Sequence, residues 1–151
     1  MRSEVLERVA EDLLFIFPRI GRSIRRKLLK TAMTSFKEDI TPPHFEIMKQ
    51  LEEAGPLHIT EIGERLRIAG PQMTHLINKL VDLDLVKRQT GTADRRTINI
   101  MLTSKAKTTL EEHDSRIKNA IRETLSGLTN EELEDVSASL RKLRDIFSKL
   151  Q

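Results

Sequence analysis

Apolar positions in this chain fall into helical and strand-like periods in turn. Over residues 73–80, Met73, Leu76, Ile77 and Leu80 stand at i, i+3, i+4 and i+7, which places one apolar stripe on one face of a helix. At about 100° per residue the opposite side is centred on Pro71, His75 and Asn78, flanked by Gln72 and Lys79 on one edge and Thr74 on the other. A solvated face in a chain rich in Glu and Lys would carry mainly those two residues. Here side chains of base- and phosphate-contacting types crowd a turn and a half, which favours nucleic-acid recognition over a merely solvated face. A shorter helix comes before it. Thr60 can N-cap that helix, Glu61 stands in its first turn, and Ile62 and Leu66 pack inward. Gly63 costs about 1 kcal/mol there against alanine, so it either lets another helix approach closely or is a plain weak spot. Arg67-Ile68-Ala69-Gly70 turns the chain, and Pro71 enters the first turn of the next helix, where its missing N–H does no harm.

After Leu83-Asp84 the period changes. Leu85-Val86-Lys87-Arg88-Gln89 is strand-like, and Ile98, Ile100 and Leu102 alternate with Thr97, Asn99 and Met101. The intervening Thr90–Arg96 segment is too polar to bury and long enough to project. A loop ending in Arg95 and Arg96 suits the narrow, negative minor groove of DNA. Asp94 fits such a loop if its carboxylate braces Arg96 and fixes the direction of the guanidinium. A solvated, charged hairpin tip is the plainer alternative.

The order helix, turn, helix, strand, loop, strand is that of a winged helix-turn-helix. The stretch from Leu66-Arg67-Ile68 through Met73-Thr74-His75-Leu76-Ile77-Asn78-Lys79-Leu80, then Leu85-Val86-Lys87-Arg88, Asp94-Arg95-Arg96 and Leu102-Thr103-Ser104-Lys105 resembles the MarR family of bacterial and archaeal transcription regulators. The Asp-Arg-Arg wing followed by Leu-Thr-x-Lys is the specific part, and with the flanking helices the match covers nearly the whole chain. Three positions depart from the family pattern: Ala69 where Ser or Asp commonly caps the recognition helix, Asp84 where a helix-ending Gly is usual, and Ala106 where the motif usually continues to Gly. The first weakens the cap, and the second is tolerable because Asp adopts a left-handed conformation.

The flanking segments have stripes of their own. Thr129 with Glu132 makes a capping box, after which Leu133, Val136, Leu140, Leu143, Phe147 and Leu150 recur at alternating steps of three and four, a heptad seam. The preceding helix, with Ala106, Leu110, Ile117, Ile121 and Leu125 before Gly127, can face that seam, and Val5, Val9, Leu13, Ile16, Ile20, Ile24 and Leu28 give the N-terminal segment a similar stripe. Three helices from the two ends can thus build an intertwined dimer interface, or else an ordinary intramolecular bundle. The resemblance implies a homodimer. Pro18 bends the first helix near Phe17 or ends a first short one. Beside it, Arg19, Arg22, Arg26 and Lys30 fall on one face, which reads most simply as solvated. The resemblance offers another use, since relatives bind small aromatic carboxylates and phenols where the dimerisation helices join the winged helix. Arg19, Arg22 and Arg26 are then candidate effector contacts, although the chain has no Tyr to lend a phenol hydroxyl.

Composition narrows the remaining options. Net charge is only +3, so the basic residues must be unevenly placed to bind nucleic acid, and Lys87, Arg88, Arg95 and Arg96 supply that asymmetry. Scarce aromatics favour a helical protein with a Leu, Ile and Val core. The absence of cysteine excludes disulfides and the thiol-oxidation switch of some relatives. The four histidines do not cluster. His58 with Glu61 and His113 beside Asp114 form at most a weak case for a metal, so neither metal nor cofactor is expected. There is no phosphate-binding glycine loop, no zinc-protease motif and no nucleophile with a base, which excludes the recognisable enzyme classes. Glu4, Glu7, Glu11 and Asp12 interrupt the first segment, so it reads as neither a signal peptide nor a membrane span, and a cytoplasmic protein is expected.

The expected fold is mainly α (α+β): a winged helix-turn-helix over residues 41–102 between an N-terminal dimerisation segment, 1–35, and C-terminal dimerisation helices, 103–151. The expected DNA contacts are Pro71, Gln72, Thr74, His75, Asn78, Lys79, Arg88, Asp94, Arg95 and Arg96. The expected dimer interface comprises Val5, Val9, Leu133, Val136, Leu140, Leu143, Phe147 and Leu150. The leading function is a homodimeric regulator, a repressor of a palindromic operator in double-stranded DNA, relieved by a small aromatic carboxylate or phenol. The alternative is a winged-helix protein-interaction module whose wing arginines bind an acidic protein.

Overall fold

The computed structural model describes residues 1–34, 36–90 and 97–150, without the side chains of residues 21, 23–25, 27–29 and 32–34. The elements in order are α1 (Arg2–Thr34), α2 (Pro42–Ala54), β1 (Leu57–His58), α3 (Ile59–Leu66), α4 (Gly70–Asp82), β2 (Val86–Thr90), β3 (Ile98–Leu102), α5 (Ser104–Thr124), α6 (Asn130–Phe147) and a final 3-10 turn (Ser148–Leu150). They gather into two compact units: Met1–Leu29 with Lys118–Gln151, and Lys30–Ile117.

The second unit is the winged helix. Its core joins Ile47, Met48 and Leu51 of α2, Ile62 of α3, Met73, Leu76, Ile77 and Leu80 of α4, and Leu85, Val86, Ile100 and Leu102 of the sheet region. The sheet is antiparallel in the order β1-β3-β2, and β2 and β3 pair from Val86 opposite Leu102 to Thr90 opposite Ile98. Ile100 and Leu102 turn inward as their alternation requires, whereas Ile98, at the wing end of β3, is exposed. The sequence reading does not foresee β1, which is only two residues long, too short to carry a period; Leu57 is buried opposite Ile100. The reading also passes over α2. Two prolines open that helix, and His44 Nδ1 accepts a 2.9 Å hydrogen bond from the Thr41 backbone N–H. Gly55, at φ 76°, closes it.

Two local expectations change. The cap of α3 is His58, not Thr60: His58 Nδ1 accepts from the Thr60 N–H at 3.2 Å, and Glu61 Oε1 accepts from the His58 N–H at 3.4 Å. The strand pairing of His58 with Asn99 already holds it in the extended backbone that an N-cap needs, so Thr60 falls inside the helix. In α5, Ala106 and Leu110 are fully buried in the winged-helix core rather than facing the last helix. The cause is a clamp on the first turn of α5. The Thr103 hydroxyl accepts from the Ala106 N–H at 3.1 Å and donates to the Asp84 carbonyl at 2.6 Å, while Lys105 Nζ donates to the Leu83 carbonyl at 2.8 Å.

Gly63 allows a close approach. A Cβ there would lie 3.0 Å from the Ile68 carbonyl oxygen and 3.1 Å from Met73 Cγ. Asp84 adopts φ 58°, the left-handed turn expected of it, and Arg67 adopts φ 57° at the end of α3, a position the sequence does not mark.

In the first unit α1 runs unbroken through Pro18. The capping box at Thr129 is formed, with Glu132 Oε2 accepting from the Thr129 N–H at 2.8 Å and Thr129 Oγ1 accepting from the Glu132 N–H at 3.1 Å. No residue of α6 is buried. Leu133 is half-buried, while Val136, Leu140, Leu143, Phe147 and Leu150 are exposed, as are Val5, Val9, Ile16 and Ile20 of α1. Ile24 and Leu28 lie outside the described side chains. No described helix is long and apolar enough to cross a membrane.

Candidate nucleic-acid interface

Helix α4 is held by its buried stripe, and that fixes which residues face outward. Pro71, Gln72, Thr74, His75 and Asn78 are exposed and Lys79 is half-buried, so these candidates share the free side of one rigid helix. Pro71 occupies the first turn, and Ala69 caps the helix with no side-chain hydrogen bond to its first N–H groups. Thr74 Oγ1 donates to the Gly70 carbonyl at 3.2 Å, which spends its proton on the helix and leaves the hydroxyl oxygen as an acceptor.

The far end of α4 is tied down by residues that the sequence shows only as part of a motif. Thr103 and Lys105 bind the carbonyls of Asp84 and Leu83, which follow the helix and have no partner within it. Lys105 also meets Glu38 at 3.3 Å. The Leu-Thr-x-Lys run is therefore structural, anchoring the exit of the presenting helix. No local pattern reveals this, because the bonds span 19 and 22 residues.

On β2, Lys87 and Arg88 point to opposite faces of the strand. Arg88 is on the α4 side, where its Nη2 donates to Asn78 Oδ1 at 2.5 Å. Asp94, Arg95 and Arg96 lie outside the described residues. Two histidines support the unit from within. His44 is buried, its Nε2 finds no hydrogen-bond partner among the described residues, and burial lowers its pKa, with Lys79 and His75 of α4 adding to the shift and Asp39 opposing it. His113 stacks on Phe36 at 4.5 Å between ring centroids and tilts against Phe45 at 4.9 Å; burial lowers its pKa too. Among the described residues no three His, Cys, Asp or Glu side chains are placed to hold a metal, and the His58–Glu61 pair is spent on the α3 cap.

The arginine stripe of α1 is exposed but engaged with its own helix. Arg19 lies 3.6 Å over the Phe15 ring and donates to the Phe15 carbonyl at 3.1 Å, and Arg22 donates to the Pro18 carbonyl at 3.3 Å. Both bonds return to carbonyls in the turns around Pro18, whose ring has no N–H to give the Leu14 carbonyl. Arg26 is exposed.

Comparison with known proteins gives this geometry a family. The MarR family profile matches residues 40–98. An uncharacterized HTH-type transcriptional regulator of Bacillus subtilis, YsmB, is 30% identical over 105 residues, 70% of this chain and 72% of that protein. The HTH-type transcriptional repressor MdtR of the same organism is 31% identical over 97 residues, 64% of this chain and 63% of its own. The structure of a mutant S. aureus MepR bound to an oligodeoxyribonucleotide superposes with a TM-score of 0.67 at 25% identity, covering 91% of this chain and 96% of that one. The chain belongs to the MarR family of winged helix-turn-helix, DNA-binding transcription regulators.

Proposed function

We propose that the protein is a homodimeric repressor that binds a palindromic operator, inserting α4 of each chain into the major groove and setting the wing on the adjacent minor groove. The observation that carries this reading is the outward face of α4, where Gln72, Thr74, His75 and Asn78 stand on a helix whose other face is locked in the core. Gln72 near the N-terminus of that helix and His75 one turn on are the base readers, because a recognition helix meets base edges with its N-terminal residues. Lys79, Arg88, Arg95 and Arg96 take phosphates and the minor groove, with Asp94 bracing the wing. The name of MdtR supports repression, and the oligodeoxyribonucleotide on MepR supports this use of the fold. The open apolar positions of α1 and α6 support the homodimer.

The effector is a small aromatic carboxylate or phenol that meets Arg19, Arg22 and Arg26 of α1. Phe15 under Arg19 supports it by offering an aromatic face beside a cation. By linkage such a ligand binds free protein more tightly than operator-bound protein, and equal affinity for the two contradicts it.

Equilibrium binding to operator duplexes at fixed salt tests the interface. Gln72→Ala and His75→Ala each relax preference at particular base pairs by about 1–3 kcal/mol. Unchanged affinity and preference in both variants would remove α4 as the reading element. Tight binding of an acidic protein with no preference among duplexes would favour an interaction module instead.

A further inference from the structure

The bond between Asn78 and Arg88 has no large role in stability. Both side chains are exposed, so it exchanges with water and its net worth in folding is small. It also links the outward face of α4 to the wing strands, between residues ten apart in the chain. An asparagine that reads adenine needs its carbonyl oxygen and its amide nitrogen together, in the plane of the base. In Asn78 the oxygen is held by a guanidinium, and the plane of the amide is set by where β2 passes α4. Asn78 is also the ninth residue of the thirteen in α4, beyond the N-terminal part that meets base edges in helix-turn-helix complexes. For Arg88 the same bond is an advantage. One of five N–H groups is used, the rest remain for phosphate oxygens, and a long side chain is already ordered beside the helix before DNA arrives.

We propose that Asn78 is a positioning residue that holds the Arg88 guanidinium against α4 as a phosphate clamp, and does not itself read a base. This rests on the DNA-binding reading above. A clamp at the root of the wing contributes affinity to every sequence alike and adds about one released counterion to the salt dependence.

The test uses the full-length protein, a duplex selected by the wild type from a random pool, and that duplex's single-base-pair variants, each titrated at several salt concentrations. Arg88→Ala weakens binding to all duplexes by a common factor, about tenfold, and lowers the slope of log K against log salt by about 0.9. Asn78→Ala weakens all of them by a smaller common factor, leaves base preference intact, and has less than about a twofold effect when Arg88 is already Ala. Asn78→Asp keeps the tether but neutralises the clamp, so the salt slope falls as in Arg88→Ala with preferences unchanged. A base-reading Asn78 gives the opposite pattern: loss of preference at one base pair in Asn78→Ala, persisting without Arg88, and a shift towards C·G in Asn78→Asp, whose carboxylate would accept from the cytosine amine. That pattern, or an Arg88→Ala variant with wild-type affinity and salt slope, overturns the assignment while the DNA-binding reading stands. Failure of the wild type to select any duplex would overturn both.

Discussion

Helix α4 and helix α6 carry apolar stripes of similar regularity, and they meet different fates. Met73, Leu76, Ile77 and Leu80 are buried against α2, α3 and the sheet, whereas Val136, Leu140, Leu143 and Phe147 of α6 are exposed, Leu140 by 59%. The winged helix is closed by its own chain, so its stability is a property of one molecule. The unit built from α1 and α6 leaves apolar side chains in water, and large contiguous apolar surfaces mark association sites. Spacing thus identifies an apolar face, and only packing tells whether the chain itself covers it.

The sharpest way to break this contrast is a charge in each stripe's place. Leu140→Asp buries an unpaired carboxylate if α6 is covered by a second chain, costing about 3–5 kcal/mol of dimer stability, and is nearly neutral if the chain stays alone. Sedimentation equilibrium decides, and the expected outcome is a wild-type dimer at micromolar concentration and a variant that dissociates. Leu80→Ala in the closed core costs about 2–5 kcal/mol in denaturant unfolding, and the loss itself does not depend on protein concentration. If both substitutions acted alike, the distinction between the two units would be lost.

A milder substitution probes the junction that aims α4. Gly63→Ala pushes a methyl towards the Ile68 carbonyl and Met73 Cγ. Overpacking of that kind costs about 1–3 kcal/mol and outweighs the better helix propensity of alanine. A variant of unchanged or raised melting temperature would show that α3 and α4 yield without cost.

The smallest effect is the response to acid. All four histidines lie in the winged-helix unit, and His44 and His113 have pKa values lowered by burial from an ordinary 6.5. Below that value the unfolded chain takes up protons that the native winged helix resists. The two groups therefore cost nothing at higher pH, and stability declines as pH falls through about 6.5. Amide exchange at pH 7.5 and pH 5.5 should show protection lost in α2 and α5 near these rings, with less change in α6. Equal loss across both units would point away from the buried histidines.

The parts of the molecule legible in the sequence are those fixed by near neighbours. The α4 stripe, the inward turn of Ile100 and Leu102 and the Thr129 box all follow from spacings of a few residues, and the left-handed Asp84 follows from the family pattern, which has a helix-ending Gly there. What escaped is long-range or too short to have a period. The two residues of β1 make a strand only because β3 lies beside them, and that pairing also moves the α3 cap to His58. Ala106 and Leu110 sit on a helix that could face either unit, and the choice falls to Thr103 and Lys105 reaching back to carbonyls about twenty residues away. At the interface the α4 face was readable, but the Arg88 tether was not, because two exposed polar residues on different elements leave no pattern in the chain.

The central claim is that two copies of α4 read one operator. Selection of bound duplexes from a random pool by the intact protein tests it most directly, with the stoichiometry of the selected complex measured in the same solution. The account predicts an inverted repeat whose half-site centres lie about one helical turn, roughly 34 Å, apart, bound by two chains and weakened steeply by salt. Enrichment of no sequence, or of a single half-site bound by one chain, would contradict it.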